Sequence, residues 1–438
     1  MNPAAVMSWL IGTNEDAQSQ PRSAFIRSIG RVVYRFEAIA LVLLACAFGM
    51  WFQPQPVSDW LYYWQAAQDL SLYQRGGAGL LALAGLAASG MTPWVCAVLI
   101  NLIAACALLW LVRDSSGHSL QPHTVALYML LITPFFAVVQ LDLLAATALA
   151  WGIWLLASVS SISRRKLVIG MLLVVAAVST RPQLFLLLLA WIGLLWLLPG
   201  CRRAVNTPLV VALLCAMGLG FAADLAARSV AGHGHAVRTS SAVTLYAGLL
   251  MAEPNGHCGH WTERARDAAH EDIDRPLMQA VWQRVTDRGW QHWRAVFACK
   301  LPQIVLPKPF ALDWAAGSGT SSVVALAPDL PLRWRQIEAW TYLALTLTIY
   351  LVTLLPRTRA ALTSRHWRWP FAWLLAFMVV HGVFEIQGRY FLPLLLLLPV
   401  WQLLGLRLDH HAIHHSFASS RKPAPAEVHA SSLPAQGV

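Results

Sequence analysis

Charge is what this sequence has least of. Only 12% of its 438 residues are Asp, Glu, Lys or Arg, against 57% hydrophobic residues, and the acidic groups are the scarcer kind, 21 against 32 basic. A soluble core could not hide that much apolar surface, so the shortage of charge excludes a soluble globular class. Residues 1–35 lack the apolar core and small-residue cleavage site of a secretory signal. No segment repeats at a fixed period, which argues against a repeat architecture. The formal charge of +11 does not point to nucleic acid, because Arg and Lys sit in short clusters between apolar runs, the marking of cytoplasmic loops.

What is present is a series of apolar runs long enough to cross a bilayer core of about 30 Å. The fold class expected is all-α, a polytopic membrane protein. A polar, Arg-containing segment 1–35 stays in the cytoplasm, and a first span at 36–52 delivers residues 53–91 to the outer face. There Trp51, Trp60, Tyr62, Tyr63 and Trp64 suit an interfacial aromatic belt. Residues 76–90 are apolar but short and rich in Gly and Ala. If they do not cross, spans at 92–112, 124–140, 143–160, 167–180, 183–199 and 207–230 put Arg164, Arg165, Lys166, Arg202 and Arg203 inside. The polar stretch 231–336 then lies outside, with an amphipathic helix over 275–300, while the proline-rich residues 301–310 are not counted as a span. Spans at 337–355, 369–386 and 390–407 complete about ten, counted by the positive-inside rule, with both termini cytoplasmic. The tail from 409 to 438 has the composition of a disordered segment.

Ionisable residues collect at the predicted outer ends of these spans: Asp59, Asp142, Arg181, Glu385 and Arg389. Arg should be scarce in short outer loops, so Arg181 and Arg389 need a reason, and an anion is one. Carboxylates and arginines at one face suit a site that deprotonates a hydroxyl and stabilises a phosphate leaving group.

The motifs SDWLYYWQAA (58–67), VVQLDLLAATALA (138–150), STRPQLFLLLLA (179–190), LYAGLLMAEPNGHCGHW with the later ACKLPQIV, and EIQGRYFLPLLLLLP follow one another in the order of a known superfamily. The chain resembles the polyprenyl-phosphate-sugar-dependent glycosyltransferases of the C-type membrane fold, which include protein mannosyltransferases and the bacterial aminoarabinose transferases of lipid A. The resemblance implies an inverting transfer at the outer face of the cytoplasmic (inner) membrane, from a polyprenyl-phosphate sugar donor to a lipid, polysaccharide or protein acceptor of the cell envelope. It implies that Asp59 is the base, that Arg389 and Lys300 contact the donor phosphate, that Asp142 orients acceptor or donor, and that Arg181 helps hold the site, with Glu385 and Tyr390 beside Arg389. Ser58 stands where the family often has a second acidic residue, which leaves a divalent cation and a second carboxylate open.

Plainer readings compete at each position. Asp59 and Asp142 suit helix caps, Arg181 a snorkelling anchor before Pro182, and Arg389 a partner for Glu385. Asp224 and Arg228, four residues apart, read as a structural ion pair. A transporter or lipid flippase is the rival function, although its charges belong near the bilayer midplane. His257, Cys258 and His260 match no zinc framework. Of seven cysteines only Cys258 and Cys299 fall in the outer segment, so those two are expected to form a disulfide.

Overall fold

A computed structural model describes residues 24–53, 56, 58–116, 132–137, 140–157, 164–197, 207–250, 258–305, 333, 336–337, 339–344, 347, 365–387, 390–398 and 400–401. Arg389, His257, the tail from 409 and most of the spans expected at 124–140 and 337–355 lie outside the described residues. The fold is all-helical. Its elements are α1 (Ala24–Phe52), α2 (Ser58–Gln68), α3 (Gly77–Ala88), α4 (Pro93–Ser116), α5 (Asp142–Ala157), α6 (Arg164–Thr180), α7 (Gln183–Leu197), α8 (Thr207–Val230), α9 (Gly234–Leu250), α10 (Glu263–Glu271), α11 (Leu277–Val305) and α12 (Arg365–Val383). A further helix covers residues 391–398.

Among the described residues, two helices are long and apolar enough to cross a membrane, Pro93–Leu111 and Pro208–Val230. At 19 and 23 residues they extend about 28 and 34 Å at the helical rise per residue. Large apolar side chains stay exposed around the bundle, among them Leu43, Ile103, Trp110, Leu172, Leu197 and Leu219. Water is a poor solvent for such side chains, and with the two long apolar helices they suit association with a membrane. Helix α3 has 12 residues, a length of about 18 Å that falls short of a bilayer core.

Small residues set how close the helices come. Gly152 on α5 and Gly170 on α6 face each other, and a Cβ on Gly152 would lie 2.7 Å from Val174 Cγ2 and 3.0 Å from the Gly170 carbonyl. Only backbones without side chains can meet at that spacing. At the other side of the bundle Trp191 of α7 stacks on Trp401 at 4.3 Å and donates its indole N–H to the Trp369 carbonyl of α12 at 3.1 Å. Beyond these, α9, α10 and α11 form a separate apolar core around Tyr246, Val281, Val285, Ala265 and Ala269.

Three features differ from the sequence expectation. Helix α1 starts at Ala24, well before residue 36. The amphipathic helix of 275–300 runs on through Pro302 to Val305, but it breaks at Gly289, whose φ is +70°. Trp60 and Tyr63 are fully buried rather than spread in an aromatic belt.

The polar residues 73–79 are held where helix α3 meets the end of α6. Gly79 N–H donates to Thr180 Oγ1 at 2.9 Å, Ala78 N–H to Ser179 Oγ at 3.3 Å and Gly77 N–H to the Tyr73 hydroxyl at 2.9 Å. These bonds satisfy donors that a helix start otherwise leaves open. Gly77 has φ +45°, and a Cβ there would collide with the Ser179 backbone. Gly77→Ala is therefore expected to cost about 1–3 kcal/mol. Gly85→Ala, on the same helix but with open space beside it, should be neutral or stabilising by up to about 1 kcal/mol. Thermal unfolding followed by tryptophan fluorescence in detergent checks both, and equal midpoints for the two variants would contradict this account.

Candidate functional site

Asp59 lies in the first turn of α2, where the helix dipole favours a carboxylate. Its Oδ1 accepts a hydrogen bond from Arg75 Nη2 at 2.5 Å, with 17% of the Asp59 side chain and 39% of the Arg75 side chain exposed. The loop that carries Arg75 is tied back onto α2 by one phenol. Tyr62 Oη accepts from the N–H groups of Gln74 at 2.6 Å and Arg75 at 2.8 Å, and donates to the Arg75 carbonyl at 3.1 Å. Burial pushes the Tyr62 phenol up, against the pull of those two N–H groups, and the hydroxyl keeps the proton it donates. The Arg75 guanidinium also lies over the rings of Tyr62 and Tyr63, at 5.1 and 5.8 Å from their centroids. Cation–π attraction there holds the side chain without using its N–H donors.

Tyr63 is one turn beyond Asp59 and on the same face of α2. On its buried side stands a second guanidinium. Arg181 Nη1 donates to Tyr63 Oη at 2.8 Å, and Nη2 donates to Asp142 Oδ2 at 2.6 Å and Gln140 Oε1 at 3.1 Å. The guanidinium carbon is 5.5 Å from the Tyr63 ring centroid. Local sequence explains both ends of this pair. Asp142 is the first residue of α5, where negative charge is favoured; Arg181 follows the last residue of α6, where positive charge is, and Pro182 stops that helix from continuing. Asp142 Oδ1 and Arg181 Nε are buried and have no partner among the described residues.

The structure thus brings Asp59, Asp142 and Arg181 together around Tyr63. It adds Arg75, Tyr62, Tyr63 and Gln140, which the sequence reading did not assign to the site. Arg75 carried the same signal as Arg181, an arginine in a segment expected outside, so the positive-inside argument applied evenly would have selected it. The Asp224–Arg228 pair forms as expected, at 2.9 and 2.5 Å. Its other oxygen accepts from the Tyr73 hydroxyl at 2.5 Å, which anchors the turn that follows Asp59's helix.

A second polar group gathers where α9, α11 and α12 meet. Cys258 and Cys299 form a disulfide. Lys300, next to it, is fully buried, and its ammonium donates to the carbonyls of Gly248 at 3.0 Å, Gly382 at 3.0 Å and Phe384 at 2.6 Å. An ammonium has three donors, and all are spent on backbone. Lys300, expected at a phosphate, is placed here against backbone, where it clamps the end of α12 in front of Glu385. Burial pulls its pKa down to about 7, against the Glu385 carboxylate, which raises it. Glu385 is buried; its N–H donates to the Thr244 carbonyl at 3.0 Å and its carboxylate accepts from the Gln387 amide. The Glu385 carbonyl accepts from His381 Nδ1 at 2.9 Å, and the His381 ring stacks on Tyr390 at 5.1 Å.

A divalent cation needs several oxygen ligands. Asp59 and Asp142 each already face a guanidinium at 2.5 and 2.6 Å, charges that repel a metal, and Cys258 is held as a disulfide. Among the described residues, the two carboxylates of this group are matched to arginines rather than arranged around a cation. Comparison of the chain with family models, curated proteins and solved structures gives no match.

Lys300 makes stability depend on pH with a definite sign. The unfolded lysine keeps its proton up to about pH 10.5, whereas the folded one gives it up near 7. Across that window the unfolded chain binds more protons, so rising pH favours the folded state, by at most about 1.4 kcal/mol per pH unit. The stability of the wild type relative to Lys300→Met is expected to be flat below pH 7 and to rise from 7 to 9.5. A flat difference over the whole range would show that Lys300 keeps its ordinary basicity.

Proposed function

We propose that the chain is a glycosyltransferase of the cytoplasmic (inner) membrane that moves a sugar from a polyprenyl-phosphate carrier to a lipid, polysaccharide or protein acceptor of the cell envelope. The single observation that carries this reading is the joining of Asp59, Arg75, Tyr63, Arg181 and Asp142 by direct contacts into one group in which Asp59 and Arg75 keep contact with the surface. Further support comes from the direction of the helices. The start of α5 and the ends of α6 and α8 all reach this group, through Asp142, Thr180 with Arg181, and Asp224 with Arg228. Helices that alternate in direction and end at one polar face suit about ten spans in which α3 does not cross and the face is periplasmic. In that arrangement residues 53–91 form the catalytic outer loop within the 36–230 core, 231–336 is an outer domain, and 337–408 supplies the last spans.

In the reaction the Asp59 carboxylate takes the proton of the acceptor hydroxyl as its oxygen attacks the anomeric carbon. The bond from that carbon to the carrier's phosphate oxygen breaks, and the phosphate leaves with the electron pair. One displacement inverts the anomeric centre. The leaving group is already a stable anion, so positive charge matters more than a general acid. Charges at helix ends rather than at mid-helix favour such interfacial chemistry over transport.

Asp59→Asn keeps shape and removes the base, with an expected fall in transfer of about 100-fold or more. Mass spectrometry of lipid-linked and envelope glycans from cells carrying the wild type, an empty vector or Asp59→Asn should show one sugar mass missing from the last two, with the variant protein accumulating normally. If the variant retains the sugar that the empty vector loses, Asp59 is not the base.

A further inference from the structure

Helix α11 changes character at one residue. Before the break at Gly289 its buried face, with Val281 and Val285, belongs to the core it shares with α9 and α10. After the break Ile304 joins the main core of the bundle, and the Lys300 ammonium grips α12 through the Gly382 and Phe384 carbonyls. Trp293 ties the two halves together, since its indole N–H donates to the Val285 carbonyl across the break at 3.3 Å. We propose that the half after the break, residues 290–301, lies in the bilayer interface, with an outward stripe among anionic lipid headgroups and the first carbons of their acyl chains. The choice of a bilayer rests on the membrane setting of the function proposed above and not on the transfer chemistry.

Side chains at 290, 297 and 301 fall within about 40° of one another around a helix, along about 16 Å of its axis. They are Trp290, Phe297 and Leu301, which are 74%, 45% and 58% exposed. Trp293, stacked at 5.7 Å, supports the Phe297 ring. Three large apolar groups in one line are costly in water, and an interface has room for each: the indole at headgroup level, the phenyl and the leucine deeper. The charges agree. From Arg288 to Val305 the chain has no Asp or Glu, whereas Glu271, Asp272, Asp274 and Asp287 all precede Gly289. Arg294 is exposed on the stripe's side of the helix, one turn from both Trp290 and Phe297, where a long cationic side chain meets headgroup phosphate. The stripe also continues an apolar surface of the bundle. Leu301 follows Lys300, and the two α12 carbonyls that Lys300 grips flank Val383, which is exposed together with Val379 one turn before it. Apolar surface that passes from the end of a bundle helix onto a basic, acid-free helix matches the boundary between acyl chains and headgroups. The half before Gly289 exposes Met278 and Trp282, but it belongs to the acid-bearing outer core and provides the contrast.

The full chain in nanodiscs that contain a phospholipid with a diazirine on its acyl chain tests the placement. After illumination, peptide mass spectrometry counts carbene adducts, and hydroxyl-radical oxidation of a parallel sample reads contact with water. Adducts on Trp290, Phe297 and Leu301 should exceed those on Met278 and Trp282 by about fivefold or more, with oxidation in the reverse order. Equal labelling on the two sides of Gly289 overturns the proposal. A stripe shielded from oxidation that carries no adducts also overturns it, because protein rather than lipid then covers it. An anionic diazirine lipid should label the stripe about fivefold more than its zwitterionic counterpart, and Arg294→Gln should remove that preference. Equal labelling in the wild type, or a preference that the variant leaves intact, overturns the anionic headgroup. Size exclusion and thermal unfolding establish that the variant is folded. Ile103, Trp110 and Leu219, exposed on the two long apolar helices, are the reference. If they take adducts and the stripe does not, this inference fails and the membrane setting stands; if neither does, both fail. No turnover is read, so neither result bears on Asp59.

Discussion

The buried Arg181 guanidinium constrains the polar half of this molecule more than any other group. A cation out of water is costly unless its donors are met, and removing one partner leaves the other charge stranded. Arg181 meets that condition through its two terminal nitrogens, with three acceptors from two separate elements: Tyr63 of α2, and Asp142 with Gln140 at the start of α5; its buried Nε has no partner among the described residues. Because Arg181 itself follows the end of α6, that end, the start of α5 and the middle of α2 are fixed relative to one another by a single planar group. Tyr63 passes the constraint to the face of α2 that carries Asp59. The position of the surface carboxylate therefore depends on a pair that is itself hidden from solvent.

The same logic governs the second group. Lys300 holds three carbonyls from α9 and the end of α12, and the disulfide beside it fixes the segment that begins at Cys258. Ile386 N–H donates to the Gly259 carbonyl at 2.7 Å, which joins that segment to Glu385's strand of chain. A lysine pulled toward neutrality by burial is a poor anchor for an external anion and a good one for backbone dipoles. In both groups, charge that the sequence places at helix ends is used first to hold the ends together.

Much of this was legible in the sequence because the rules that apply are local. Asp142 and Arg181 sit where helix dipoles want their charges, and the break at Pro182 follows from its missing N–H. The Cys258–Cys299 pairing came from excluding cysteines in apolar runs. The failures were of two kinds. Helix α9 was read as part of a polar segment because His233, His235 and Arg238 outweighed the apolar face at Ala242, Leu245, Tyr246 and Leu249, which shows only against a partner. Tyr62 and Tyr63 were read as interfacial by composition, and their hydroxyls were not followed to a partner. Burial of a phenol is decided by whether something distant in the chain meets its oxygen, here Arg181 at a separation of 118 residues, and no local pattern carries that information.

Tyr63 stands between two arginines that differ in kind. Arg181, on its buried side, is paired with a carboxylate that is itself hidden from solvent; Arg75, on its exposed side, is paired with one that keeps contact with the surface. Their unequal exposure sets the inner pair, which fixes geometry, apart from an outer pair within reach of solvent. A pair held out of water is screened little and keeps its partners in place, whereas a pair at the surface is screened by solvent and salt, so the inner pair rather than the outer one fixes where Asp59 sits.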